Sequence, residues 1–202
     1  MLLVRHGTTP TTGAVLPGRA PGLHLADAGV AQAEAAAARL AAMPRIDAVY
    51  CSPLERTRET ARPIGAARGL PVKADRGLLE CDFGEWTGRP LKELAKEPAW
   101  TTVQRYPSGF RFPGGESFVE MSARITGALQ RLVERHRSGV VVAVSHADPI
   151  KAAVADALGT HLDLFQRINV SPCSVTAVHY GPAGPAVLAV NSVEPLSSLV
   201  PS

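Results

Sequence analysis

Short apolar runs alternate along this chain with longer stretches of helical pattern. Leu2-Leu3-Val4 is an unbroken apolar run bounded by Arg5-His6-Gly7, which predicts a buried strand ending in a turn. Residues 8–25 are rich in Thr, Pro and Gly and predict a loop. Ala26 to Met43 is dominated by Ala with Leu, Gln and Glu, a helical stretch that Pro44 stops. Asp47 to Cys51 predicts a second strand. Ser52-Pro53 then offers an N-cap and a proline at the first helical position, opening a helix to about Arg68 that Gly69 ends. Leu70 to Leu79 reads as a short strand with an approach loop.

Residues 83–116 are less regular. They hold four of the seventeen prolines and both tryptophans, and predict an irregular, lid-like insertion with one short helix near Leu91 to Lys96. Ser117-Phe118-Val119-Glu120 has the capping-box pattern and starts a helix to about Arg137, which Gly139 breaks. Val140 to Val144 is the clearest strand, continuous and mostly β-branched, and it runs into Ser145-His146. Asp148-Pro149 opens another helix through about Leu158, with Asp148 expected as its N-cap. Val175 to His179 and Val187 to Val190 predict two final strands. Strands alternate with helices and no internal repeat is present. The predicted fold is α/β: three layers, a mostly parallel central sheet and helices on both faces, in a single domain over residues 1–202.

Composition narrows the function classes. With 46% hydrophobic and 19% charged residues, the chain is ordinary globular material, not a disordered segment. It has no run of about 18 apolar residues, so no membrane-spanning helix is expected. The three cysteines, Cys51, Cys81 and Cys173, are widely spaced with no CxxC, which indicates neither a disulfide framework nor a zinc knuckle. The start, Met-Leu-Leu-Val-Arg-His-Gly, lacks a basic leader before an apolar stretch, and the expected compartment is a reducing cytoplasm. A net charge of +3, with dispersed Lys and Arg and few aromatics among them, gives no case for a nucleic-acid partner. The basic residues are skewed toward Arg, which suits bidentate phosphate recognition where arginines converge.

Two apolar strands each end in a histidine, at Arg5-His6 and at Ser145-His146. Ligands of open α/β sheets bind at the carboxyl ends of the strands, so the two imidazoles can face one another across a crevice. A third strand ends at Cys51-Ser52 and feeds a helix whose first turns carry Arg56 and Arg58. A further extended segment delivers Glu80. Two imidazoles, several guanidiniums, one carboxylate and two helix N-termini, at Pro53 and Pro149, describe a pocket for a phosphate group.

Five ordered segments then carry a resemblance. Arg5-His6-Gly7 after an N-terminal strand is similar to the signature of the histidine phosphatase (phosphoglycerate mutase-like) superfamily. Leu25 to Ala33, with Gly29 and Gln32, resembles that family's first helix entrance. Ser52-Pro53-Leu54-Glu55-Arg56-Thr57-Arg58-Glu59-Thr60-Ala61, Leu79 to Gly88, Pro113-Gly114-Gly115-Glu116-Ser117 and Val144-Ser145-His146 match its later motifs in order. The resemblance implies a phosphoglycerate mutase-like fold. It implies His6 as nucleophile forming a phosphohistidine, Arg5, Arg56 and His146 on the phosphoryl oxygens, and Glu80 as general acid and then base. Thr12 and Ala147 are further expected phosphate contacts. Arginine and histidine supply the positive charge, so no metal and no cofactor is implied. A small phosphorylated metabolite is the expected partner, and the resemblance also admits a homodimer.

The chain departs from the family's pattern in places. Thr8 and Thr12 stand where Glu and Asn are common, and Ala147-Asp148-Pro149 follows the second histidine where glycines are common. A carboxylate at 148 either caps the next helix or meets a polar or cationic part of the substrate. Asp82 and Glu85 rival Glu80, and Arg58 and Arg62 rival Arg56. Arg19 is either a substrate contact or an ordinary loop residue, and His24 is assigned no role. Trp86 and Trp100 are expected in packing, and Cys81 as a small buried filler. The 33 residues between Glu80 and Gly114 fit the phosphatase branch better than a phosphoglycerate mutase, whose insertion is usually larger. A non-catalytic phosphate-binding module is disfavoured because all five core residues are present. A metallohydrolase is disfavoured because no HxH or HExxH spacing occurs. The sequence does not rank phosphoglycerates, sugar phosphates, a cobalamin-pathway nucleoside phosphate or inositol phosphates as substrate.

Overall fold

A computed structural model describes residues 1–193; the last nine residues of the predicted domain, 194–202, lie outside the described residues. In chain order the elements are β1 (Leu2–Arg5), α1 (Asp27–Ala41), β2 (Ala48–Cys51), α2 (Glu55–Ala67), β3 (Val72–Ala74), α3 (Leu91–Leu94), α4 (Pro98–Arg105), α5 (Phe118–Arg135), β4 (Val141–Ser145), α6 (Ala147–Ala157), β5 (Val175–Gly181) and β6 (Gly184–Ser192). Short 3-10 turns cover Arg76–Leu78, Gly84–Trp86, Pro107–Gly109 and Leu162–Arg167.

The strands form one six-stranded sheet in the order β3-β2-β4-β1-β5-β6. The first four run parallel, and β5 and β6 add an antiparallel hairpin at one side. Both faces of the parallel part are covered, which is why its strands read as continuous apolar runs. Leu2, Val4, Val49, Cys51, Val142 and Val144 pack with Leu40, Ala61 and Ile64 of α1 and α2. Leu3, Ala48, Tyr50, Val141 and Ala143 face the other way, toward Met121, Ile125 and Leu129 of α5 and Ile150 and Val154 of α6. The result is three layers. Each large side chain fully buried there contributes roughly 1.5–3 kcal/mol.

Helix ends show where local rules hold and where tertiary demands override them. The capping box at α5 forms as predicted: Ser117 Oγ accepts from the Glu120 N–H at 3.1 Å, and the Glu120 carboxylate accepts from the Ser117 N–H at 2.9 Å. The other two predicted caps do not form. Leu54, not Ser52, is the N-cap of α2, and the Ser52 hydroxyl lies 2.9 Å from His146 Nε2 and accepts from the Leu54 N–H at 3.5 Å. His146, not Asp148, is the N-cap of α6.

Residues 83–116 are more ordered than the sequence reading allows. A second helix, α4, follows α3, started by Pro98 at a position that needs no N–H. Trp86 stacks on Trp100 with centroids 6.2 Å apart and meets Phe110 and Phe112 at 5.5 Å, so the tryptophans pack as expected. This aromatic cluster continues through Phe118 to Phe165, which lies on an unpredicted 3-10 turn. Prolines and glycines mark the segment's turns; its aromatics bury it. Among the described residues no helix is long and apolar enough to cross a membrane.

Candidate active site

The site lies at the carboxyl ends of β1 and β4, which pair directly with Arg5 opposite Ser145. The residues that follow, His6 and His146, are therefore neighbours, with ring centroids 5.3 Å apart and planes at 62°. The His6 backbone N–H donates to the Ser145 carbonyl at 3.0 Å, continuing the ladder into the site. The ring is fixed by Nδ1 lying 2.7 Å from the Gly7 carbonyl. A carbonyl only accepts, so Nδ1 carries the hydrogen and Nε2 of the neutral ring carries a lone pair. Among the described residues Nε2 has no hydrogen-bond partner.

The loop after His6 is clamped to two helices. The Gly7 N–H donates to Thr60 Oγ1 of α2 at 3.0 Å, and the Thr8 N–H donates to Gln32 Oε1 of α1 at 2.9 Å. A Cβ on Gly29 would lie 2.0 Å from the Thr8 carbonyl oxygen, and one on Gly7 would lie 2.5 Å from the Gly29 carbonyl oxygen. Glycine is required at both positions by close backbone approach.

Behind His6 the side chains of His146 and Arg56 are wholly buried, and that of Arg5 partly so. His146 Nε2 is 2.9 Å from Ser52 Oγ, while its Nδ1 has no hydrogen-bond partner. Arg56 is 0% exposed; one terminal nitrogen donates to the Gly18 carbonyl at 2.8 Å, and its Nε and other terminal nitrogen are buried without an acceptor. Arg5 donates to the Val170 carbonyl at 2.6 Å and also leaves a buried Nε unpartnered. The sequence reading selects Arg56 over Arg58 and Arg62, and it is Arg56 that is fully buried here.

Glu80 lies in the loop after the Arg76–Leu78 turn, not on a strand. Its side chain is held by the Cys81 N–H at 2.9 Å, and its other oxygen is 4.0 Å from His146 Nδ1. The backbone around it is pinned by two arginines. Arg124 of α5 donates to the carbonyls of Gly77 (3.0 Å), Leu79 (2.8 Å) and Glu80 (3.2 Å), and Arg19 donates to the Glu80 carbonyl at 2.8 Å. Glu116 accepts from Arg124 in two-pronged fashion at 2.8 and 2.9 Å and pairs with Arg19 at 2.7 Å. Arg19 is thus neither a cleft contact nor a free loop residue. Of the rival carboxylates, Asp82 pairs with Arg19 at 3.5 Å, and neither it nor Glu85 lines the cleft. His24 is exposed and pairs with Glu59.

A cleft of about 250 Å³ is lined by Arg5, His6, Thr12, Glu80 and Ala147 among the predicted residues, while Arg56 and His146 lie outside its lining. Thr12 Oγ1 accepts from the Thr9 N–H at 2.8 Å and lies 3.0 Å from the Thr9 hydroxyl, so it is already engaged. Ala147 is the first residue of α6, where backbone N–H groups lack intrahelical acceptors. Asp148 lines the cleft too, as do Thr9, Lys151 and Asn169, which the sequence reading did not single out. The three-residue step from Asp148 to Lys151 on one helix was the available signal.

Electrostatics set the proton positions. Burial, then the Arg56 guanidinium and more weakly Arg5, pushes His6 down to about 3, against the Gly7 carbonyl bond. His146 is held well below the ordinary histidine range by burial and Arg56. Glu80 is pushed up to about 7 by burial and then by Asp148, against the pull of Arg56. Burial raises the Cys81 thiol well above its ordinary value, consistent with a neutral filler. The site therefore combines a neutral imidazole with an open lone pair, fixed cations with unmet donors, and a carboxyl group that exchanges its proton near neutrality. Such a set can accept an anionic group, attack it and supply a proton.

The chain is 30% identical to phosphoserine phosphatase 1 of Hydrogenobacter thermophilus, over 95% of this chain and 91% of that protein. It is 33% identical to a bifunctional protein of Mycobacterium tuberculosis over 95% of this chain, and spans about half of that protein's length (53%). Among solved structures, a mutant of phosphoserine phosphatase from Entamoeba histolytica in complex with phosphoserine superposes with a TM-score of 0.86 at 25% identity, covering 96% of this chain and 98% of that one. Residues 1–193 match the histidine phosphatase superfamily (branch 1). The paired histidines, the order of the motifs and these relatives agree, and the chain belongs to the histidine phosphatase superfamily.

Proposed function

We propose that the chain is a metal-independent phosphomonoesterase that acts on a small phosphorylated metabolite through a phosphohistidine on His6. The observation that carries this reading is the set of buried, unpartnered nitrogens: Arg5 Nε, two of Arg56 and His146 Nδ1. A buried donor left unmet costs about 1–3 kcal/mol, so a phosphoryl group whose oxygens meet these donors is stabilised where water cannot compete.

His6 Nε2 attacks phosphorus as the ester P–O bond breaks, and the Glu80 carboxyl gives its proton to the departing alkoxide. The Glu80 carboxylate then takes a proton from water as that water attacks the phosphohistidine. The P–N bond breaks, and inorganic phosphate and the starting protein are released. Arg5, Arg56 and His146 hold the oxygens over which charge spreads, with Ala147 at the helix start and Thr12 at the rim. The raised Glu80 and the depressed His6 support these roles, because the acid must begin protonated and the nucleophile neutral. The phosphoserine phosphatases among the relatives support hydrolysis of a small phosphoester.

The test is phosphate release from phosphorylated metabolites and one aryl phosphate with a chelator throughout, together with trapping of labelled phosphate on the protein. Release in chelator, with label on the wild type and none on His6→Ala, is expected. Loss of release in chelator, or label retained in His6→Ala, overturns the mechanism. Transfer to a second metabolite without release would instead indicate a mutase.

A further inference from the structure

We propose that Asp148 and Lys151 form a second subsite, beside the phosphate position, that selects a phosphate monoester whose alcohol carries both an ammonium and a carboxylate group. The proposal rests on the phosphomonoesterase reading and names the substrate class for the same cleft.

Asp148 and Lys151 are three residues apart on α6 and share the face that looks into the cleft with His6, Arg5 and Glu80. Asp148 places a negative charge beside a site built for an anion. Its field acts on both Arg5 and Glu80. Helix capping does not account for it, because His146 is the N-cap and no backbone N–H donates to the Asp148 side chain. Among the described residues its only partner is Lys151, at 3.3 Å through one carboxylate oxygen, and the other oxygen has none. An ordinary i,i+3 ion pair on a helix faces bulk water; here both side chains are 17% exposed and line a cleft.

Lys151 is held in place. It donates to Gln166 Oε1 at 3.0 Å as well as to Asp148, and its ammonium lies 6.0 Å from the centre of the Phe165 ring. Two of its three N–H groups are used, and one remains for a ligand. Asn169 lines the same cleft, its side chain has no hydrogen bond among the described residues, and it can serve either ligand group. A ligand bearing only phosphate meets Asp148 as a repulsive neighbour. A carboxylate alone satisfies Lys151 but adds to that repulsion, and an ammonium alone leaves Lys151 unused. A ligand with both groups pairs its ammonium with Asp148 and its carboxylate with Lys151, so charge is balanced across the cleft.

The test measures binding to full-length His6→Ala protein by calorimetry, and turnover by the wild type, for three matched phosphates: O-phosphoserine, 3-phosphoglycerate, which has no ammonium, and phosphoethanolamine, which has no carboxylate. O-phosphoserine is expected to bind at least about tenfold tighter than either analogue, the scale of one charged contact. Asp148→Asn should bring O-phosphoserine and 3-phosphoglycerate to within about threefold, and Lys151→Met should do the same for O-phosphoserine and phosphoethanolamine. Ratios within one variant cancel any shared change in the Glu80 proton. Lys151→Gln replaces Lys151→Met if the latter fails to fold. Equal binding of all three phosphates by the parent protein, or an equal loss for all three in the variants, overturns the subsite. Discrimination in binding without phosphate release by the wild type keeps the subsite and sinks the phosphatase reading; release without discrimination does the reverse.

Discussion

The two ends of the central strands make a controlled comparison within one molecule. At the carboxyl ends of β1 and β4 lies the cleft of about 250 Å³ over His6 and Glu80. At their amino ends lies a cavity of about 240 Å³ lined by Met1, Met43, Val133, Val140 and Tyr180 among others. Size and sheet are shared, and the polar accounting is opposite. At the amino end the N-terminal ammonium donates to the Val178 carbonyl at 2.9 Å, and His136 bonds the Tyr50 hydroxyl at 3.0 Å. No buried, unpartnered side-chain atom among the described residues belongs to a residue lining that cavity. At the carboxyl end Arg5, which lines the cleft, has one, and Arg56 and His146, which do not line it, have others. Cavity size does not separate the two ends; the buried, unpartnered nitrogen of Arg5 in the lining of one of them does.

Four changes break or sharpen that contrast. The largest effect is expected from His6→Ala, which should lower phosphate release by at least about 1,000-fold while thermal unfolding is preserved. Next, Arg56→Met should lower kcat on the order of 100-fold or more, while the melting temperature holds or rises, because a buried guanidinium with unmet donors is removed. A comparable rate loss in Arg58→Ala would relocate the site. Third, Glu80 must be protonated to act as an acid, so turnover of alkyl phosphates should fall as pH rises through about 7. Glu80→Gln should remove that limb and slow alkyl phosphates by about 100-fold, but activated aryl phosphates by much less. The smallest effect belongs to the other end: His136→Ala should leave kcat/KM within about twofold and cost about 1 kcal/mol in urea unfolding for the lost Tyr50 bond. A rate loss there as large as that of Arg56→Met would erase the comparison.

Much of the framework was legible because strand burial writes itself as unbroken apolar runs. Leu2 to Val4 and Val140 to Val144 read that way, and the histidine after each puts both imidazoles at one crevice. The caps at Ser52 and Asp148 fail for different reasons: α6 starts early, which puts Asp148 inside its first turn, while Ser52 is drawn into a tertiary contact. A short polar side chain before a helix satisfies a local rule, but the tertiary fold can spend it elsewhere, as Ser52 is spent on His146. The helix α4 was hidden because Pro98 reads as a breaker until its place in the first turn is known. Arg19, Glu116 and Arg124 could not be linked from sequence, since their meeting at the Glu80 backbone joins three segments distant in the chain.

The buried carboxyl of Glu80 has a consequence for thermodynamic measurement. Burial and then the charge of Asp148 push its pKa up to about 7. A phosphate dianion seated beside it disfavours the ionised form further, so ligand arrival and proton arrival become one linked event. On the proposed phosphate-binding reading, binding near pH 7 draws protons from the medium, and the apparent heat of binding varies with the ionisation enthalpy of the buffer. Affinity weakens as the solution becomes more alkaline, even where every arginine keeps its charge.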